Sequence, residues 1–426
     1  MSSCNLVSDA WIDVVYTNGE RAAVSLHTLF DEANDIAMLD VSDPLERTAL
    51  MRLVLAIMYK SGAHREQLIN DYDNHKHVVL DYLDTWQKRF YIFDCEHPFL
   101  QTPSLAQYAT ENTNLKPLGP RFWRNYWSKN YIDVPITPAQ AIRQLIATNA
   151  FGKSGIGAGF ERQLGTAKGK ANFFSPGASA NIVNVFVIKE NLAKTLAYNF
   201  LNSNNATNAF VPWEHDPQEP NGFNDFDIDN PATAFSLQTR VAILIKNTDG
   251  DVGMHEPVVA GALVTRGTPN AYCAARSDDK KCADYGFSKC ERWQSAENLM
   301  LHIADRNTGE IKNAHASLKA TSAFPWWTHL SRYIWPQNIE QIDDVSMIEW
   351  VVCAYDSKST VVENVINRRI WVSKNRIVGD EKETFDSWLQ DCFEQKTRPK
   401  QFMEMESDIL AWLSGKKDML PTVQTK

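Results

Sequence analysis

Long hydrophobic runs are missing from this 426-residue chain. The nearest, residues 48–59, is twelve residues long and contains Arg52. That is well short of the roughly 20 residues a bilayer span needs, so it reads as a core helix. Residues 1–10 lack a basic start followed by an apolar stretch, and no secretion signal is expected. Cysteine is scarce and scattered: Cys4, Cys95, Cys273, Cys282, Cys290, Cys353 and Cys392. An odd count with no Cys-x-x-Cys pair suits a reducing cytoplasm better than a disulfide framework and gives zinc little support. A catalytic set is also missing. Cys95-Glu96-His97 puts nucleophile, acid and base side by side, but sequence neighbours rarely converge in space. Positive charge is in deficit, with a formal net charge of −9. Any polyanion must therefore be held by a local patch.

Several familiar ligand motifs fail on inspection. Gly152-Lys153-Ser154 invites a phosphate-loop reading, but the glycine required five residues earlier is Ala147, and glycines follow where a helix should start. A dinucleotide fingerprint fails because its third glycine falls at Phe160. Asp225-x-Asp227-x-Asp229 starts like a calcium loop, but Asn230 and Ser236 stand at the required glycine and glutamate. An acidic turn is the better reading.

What is present describes a globular α+β chain. At 44% hydrophobic and 22% charged residues it can bury a core without metals or disulfides. Trp11-Ile-Asp-Val-Val-Tyr16 and Arg21-Ala-Ala-Val-Ser-Leu26 flank Asn18-Gly19, the signal for a hairpin with a two-residue I′ turn. Asp43-Pro44-x-Glu46 and Thr137-Pro138-x-Gln140 look like capped helix starts. Val79, Leu80, Leu83 and Trp86 share one helical face. Residues 181–188 read as a strand, 192–201 as a helix, and 241–245 as a buried strand. Segment 211–231, rich in proline and acids, reads as a surface loop. Strands and helices mix without βαβ regularity, which argues α+β. The division expected is a large mixed body over 1–375 and a short helical segment over 380–426.

Charge is segregated along the chain. Residues 116–170 hold nine basic side chains, Arg143 among them, against Asp133 and Glu161, whereas residues 214–229 hold six acids and no base. Such asymmetry fits a polyanion-binding face, or equally solvated loops of opposite sign. Within the basic segment, Arg121-Phe-Trp-Arg124-Asn-Tyr-Trp-Ser-Lys129-Asn-Tyr131 interleaves cations with aromatics. Stacking on bases, a half-buried strand and a subunit interface would each favour that mixture. The run Lys153-Ser-Gly155-Ile-Gly157-Ala-Gly159-Phe-Glu-Arg162 offers glycines between two cations. It fits a backbone that approaches a ligand closely, or a plain helix cap and turn.

Together several segments resemble CasA, the large subunit of the type I-E CRISPR surveillance complex, Cascade. Asp9-Ala-Trp-Ile-Asp-Val14 followed by Val24-Ser-Leu-His-Thr-Leu-Phe30 is similar to that family's opening. Phe90-Tyr-Ile-Phe-Asp-Cys-Glu-His-Pro-Phe-Leu-Gln-Thr102 resembles its most recognisable block, and Ile136–Ile146 with the glycines of 155–160 its helix and glycine loop. Pro212-Trp-Glu214 through Leu237-Gln-Thr-Arg240 resembles a further stretch, with Leu237 where Trp is usual. The resemblance implies a non-enzymatic, cofactor-free, cytoplasmic subunit. Its partners would be guide RNA, other Cascade subunits, target double-stranded DNA and a helicase–nuclease. It further implies that Gly155, Gly157 and Gly159 lie against the minor groove beside Lys289, from Gly286-Phe-Ser-Lys289. His329 in Trp327-Thr-His-Leu-Ser-Arg332 stands where the family has a wedge glutamine. Arg121, Arg124, Lys129, Lys153 and Arg162 would meet nucleic-acid backbone or guide. A protein-interaction scaffold that has kept the fold without reading DNA is the alternative.

The resemblance also implies a closing four-helix bundle. Residues 380–426 offer only two apolar helical faces: Phe385, Trp388, Leu389, Cys392 and Phe393, then Phe402, Met405, Ile409, Trp412 and Leu413. These faces need cover, from the body or from another protein, and altered helicase–nuclease recruitment is expected.

Overall fold

The computed structural model describes residues 4–109, 115, 135–152, 155–156, 173–174, 183–200, 206–217, 231–266, 300–301, 345–355, 362–377, 380–394 and 399–422. Strands β1 (Ile12–Tyr16) and β2 (Arg21–Val24) form the expected antiparallel hairpin. Its turn differs from expectation. The Gly19 amide donates to the Tyr16 carbonyl, and the Tyr16 amide donates to Glu20. Only Gly19 takes a positive φ, +88°, so this is a three-residue loop with a left-handed glycine, not a two-residue I′ turn. After α1 (Leu26–Asp31), β3 (Ile36–Leu39) adds to the free edge of β1.

Helix α2 (Pro44–Ser61) starts where Asp43 accepts from the Leu45 and Glu46 amides, and ends at Gly62 with φ +79°. It is buried on nearly every face, the mark of a central helix. Helices α3 (Arg65–Asn70), α4 (Tyr72–His75) and α5 (His77–Trp86) follow, and α5 turns Val79 and Leu83 inward. Helix α6 (Pro138–Phe151) packs on α2 and opens with the expected capping box between Thr137 and Gln140. Arg143 on α6 is not part of a free basic patch. Its guanidinium donates to the Trp11 carbonyl at 2.7 Å and lies 3.2 Å from Asp13 and 3.7 Å from Glu46, which ties α6 to β1 and α2.

Two-residue strands β4 (Gly155–Ile156) and β5 (Phe173–Phe174) pair antiparallel. Strand β6 (Val183–Ile188) leads to α7 (Leu192–Asn199), and α8 (Pro231–Ser236) packs on α2. Strands β7 (Arg240–Lys246) and β8 (Val259–Arg266) form a hairpin. Strands β9 (Met300–Leu301), β10 (Val345–Tyr355) and β11 (Val362–Ser373) complete an antiparallel sheet of order β11-β10-β6-β9. At one edge of its core Arg47 and Arg369 share the carboxylate of Glu349.

The last helices are α9 (Lys374–Ile377), α10 (Asp380–Glu394), α11 (Pro399–Glu404) and α12 (Glu406–Leu413). The second expected helix is thus two, separated at Met405. The two faces pack on each other, and α12 packs on β11. Phe385 stacks on Trp412 at 5.4 Å, and Leu389, Cys392, Ile409 and Leu413 are buried. Arg376 at the end of the sheet caps Trp412 at 5.0 Å and binds Glu381 and the Lys417 carbonyl. Burial pushes the Cys392 thiol up to about 11.

Candidate nucleic-acid interface

Helix α6 ends at Gly152, the residue before the glycine run. Gly152 has φ −58° and ψ 137°, ordinary extended backbone, so the left-handed helix cap is not what this glycine provides. Space is the reason for it. A Cβ there would lie 2.5 Å from the Thr148 carbonyl oxygen and 2.6 Å from Nη2 of Arg240. Arg240 is fully buried and its Nη1 donates to the Thr239 carbonyl at 2.7 Å. Its backbone amide donates to Oδ1 of Asn149 at 2.9 Å, and Oγ1 of Thr239 donates to the Asn149 carbonyl at 2.6 Å. The last turn of α6 is therefore clamped onto the start of β7. Three residues later Gly155 enters β4, so the glycine run departs from a fixed point.

Because φ at Gly152 suits any residue, Gly152→Ala tests packing alone. We expect a loss of about 2 kcal/mol, since a backbone carbonyl must give way. Denaturant titration measures it, and an unchanged midpoint would show that the clamp tolerates a methyl group.

The clamp continues to the Phe-rich block. Nε2 of Gln238 donates to the Leu100 carbonyl at 3.3 Å. Gln101 is buried, donates to the Ile92 carbonyl at 2.7 Å and accepts from the Leu244 amide at 2.8 Å. The Thr102 amide donates to Ala242 at 2.8 Å. Residues 101–102 thus extend the β7 edge. Phe99 stacks on Phe90 at 4.8 Å and on Trp213 at 6.0 Å, so it belongs to the packing.

Segment 211–231 begins as core rather than as a surface loop. A short 3-10 turn, Pro212–Glu214, buries Trp213, whose Nε1 donates to the Tyr82 hydroxyl at 2.7 Å. That hydroxyl donates to Oε1 of Glu214 at 2.7 Å, and Oε2 lies 2.9 Å from Nζ of Lys60. Burial, then the Glu214 hydrogen bond, raises the Tyr82 pKa. Lys60 also donates to the Thr207 and Ala209 carbonyls at 2.6 and 2.7 Å. The acidic run therefore opens with a neutralised carboxylate.

Of the residues singled out by sequence, Gly155 sits in β4. Gly157, Gly159, Lys289, His329, Arg121, Arg124, Lys129, Lys153 and Arg162 lie outside the described residues, as do Cys273, Cys282 and Cys290. Asn149, Gly152 and Arg240 are the anchoring residues that sequence reasoning missed. Gly152 was in view only as part of a failed phosphate loop, and its partner is far along the chain. Among the described residues no group of three or more His, Cys, Asp or Glu side chains could hold a metal ion. No helix among them is long and apolar enough to cross a membrane.

The fold defines a large α+β body followed by a few helices packed on its sheet. The family described as CRISPR-associated protein Cse1 matches residues 5–404, and the chain belongs to it. A curated relative, CRISPR-associated protein CasA/Cse1 of Thermus thermophilus, is 28% identical over 167 residues, 36% of this chain. That match spans only about a third, 32%, of the relative's own length. The crystal structure of Thermobifida fusca Cse1 superimposes with a TM-score of 0.66 at 16% identity, covering 99% of this chain and 87% of that one. A chain of a structure titled "CRISPR RNA-guided surveillance complex" gives 0.55 at 16% identity, covering 87% and 75%. These likenesses establish the fold.

Proposed function

We propose that this chain is the non-enzymatic large subunit of an RNA-guided surveillance complex of the type I-E kind. In it the subunit reads a short motif flanking the target in double-stranded DNA and helps open the duplex. Family membership supports the assembly. The observation that supports DNA reading is the buried Asn149–Gly152–Arg240 clamp, because a loop that reads a groove needs a rigid root. Backbone at Gly155, Gly157 and Gly159 would approach the minor groove, whose pattern is degenerate enough for amides to read. Lys289 would add a minor-groove contact, and His329 would enter the stack as the wedge. Arg121, Arg124, Lys129, Lys153 and Arg162 would hold phosphates of guide or target and carry little sequence information. Guide pairing would then read the target, as in other RNA-guided effectors.

The test is binding of the assembled complex to targets with randomised flanking bases. A short preferred motif on one side, with affinity falling steeply as salt rises, is the expected result. Uniform affinity across flanking sequences, insensitive to salt, would leave a protein scaffold.

A further inference from the structure

A cleft opens between the 3-10 turn Gln87–Arg89, the turn at 97–101 and the chain at 212–217. It is a cleft of about 310 Å³ counting its open mouth. Two nitrogens on its wall are buried without a hydrogen-bond partner, Nη1 of Arg89 and Nδ1 of His97. The acid nearest to them is Asp216, whose side chain is 86% exposed. Its carboxylate stands 3.6 Å from Arg89 Nη2 and 4.0 Å from His97 Nδ1, too far for a hydrogen bond to either. An unmade hydrogen bond at a buried N–H is costly, so Nη1 of Arg89, joined by Nδ1 of His97 in the tautomer that carries its proton there, is placed for an oxyanion that Asp216 only approximates. Leu100, on the same wall, has φ +53° and is the sole described non-glycine residue with positive φ. Backbone strain of that kind gathers at ligand sites.

The other wall is aromatic. The exposed ring of His215 stacks on Phe210 at 4.5 Å and 17°. Loss of solvation holds its imidazole below the usual value, which favours a neutral flat ring. A guanidinium and an imidazole beside a backed ring match a phosphate beside a base.

We propose that this cleft binds one nucleotide unit, its phosphate on Arg89 and His97 in place of Asp216 and its base on the His215 ring. The unit could be a free nucleotide or part of a single strand. The site goes beyond the flanking-motif reading, and its test uses the isolated chain, so either can fail alone.

Uridine monophosphate, uridine and inorganic phosphate are titrated into the chain by calorimetry. Labelled ten-nucleotide oligouridylate and oligothymidylate are followed by anisotropy, with iodouridine cross-links mapped by mass spectrometry. Uridine monophosphate should bind at least about tenfold more tightly than uridine. Arg89→Gln should weaken it about tenfold and Arg89→Lys less. Asp216→Asn, at an exposed position that does not threaten folding, should tighten it about threefold or more. His215→Ala should reduce it towards inorganic phosphate. Oligonucleotide cross-links at Phe210 or His215 would identify a strand as the source, and tight binding of the monophosphate alone a free nucleotide. Equal affinity of parent, Asp216→Asn and Arg89→Gln would overturn the site. Inorganic phosphate binding as tightly as the monophosphate would overturn the base contact.

Discussion

Glu214→Ala is expected to destabilise the chain by about 3–5 kcal/mol, the cost of stranding one member of a buried ion pair. Lys60 and Glu214 side chains are 6% and 15% exposed, so water cannot replace the lost partner. The ammonium would keep the Thr207 and Ala209 carbonyls but no countercharge, and the Tyr82 hydroxyl would lose its acceptor. Lys60→Met should cost a similar amount for the opposite reason. The two losses should not add. With both charges gone, as in Lys60→Met with Glu214→Ala, the desolvation cost disappears as well, and part of the stability returns. Melting temperatures of the four proteins decide this, with a fall of about 5–10 °C expected for each single variant. Strict additivity in the double variant would show that the two side chains do not act as a pair.

Gly159→Asp should weaken binding of the assembled complex to duplex DNA by about 1–3 kcal/mol, roughly tenfold to a hundredfold, while assembly survives. A carboxylate at that position would meet both the groove floor and the phosphate field, so sterics and charge act in the same direction. Gly159→Ala separates them, with a smaller loss that does not deepen at low salt. Affinity of competitor sites and of the preferred flanking motif should converge in the Asp variant. Retention of the full preference would remove the glycine run from the reading surface. A subunit that no longer enters the complex would return these glycines to a purely structural turn.

Local chemistry made several elements legible before any coordinates. The Thr137–Gln140 capping box, the Asp43 cap and the Val79–Leu83 face each depend on residues within one or two turns, and each forms where expected. Failures arise where distant residues decide. The hairpin turn is the local exception: Asn18-Gly19 favours a I′ turn, yet Tyr16 pairs with Glu20 across a three-residue loop. Segment 211–217 has the composition of a surface loop, but Lys60 and Tyr82 pull Glu214 and Trp213 inward from more than a hundred residues away. Arg143 adds to a basic count in sequence and is spent on Asp13 and Glu46 in space. The Gly152 clamp was illegible for the same reason, since nothing near α6 announces Arg240.

The order of strands has a consequence for how the chain is made. Strand β6 lies at residues 183–188, and its long partner β10 begins at Val345. At about 5–20 residues per second a ribosome takes about 8–30 s to cover that interval. Through that delay β6, with Val185, Phe186 and Val187 destined for burial, has among the described strands only the two residues of β9 to pair with once these emerge. An unpaired apolar strand is a template for wrong partners. Slower growth temperature prolongs the delay but weakens hydrophobic association. Yield of this subunit should therefore depend on whatever shelters nascent residues 183–188, a dependence set by topology rather than by the stability of the finished fold.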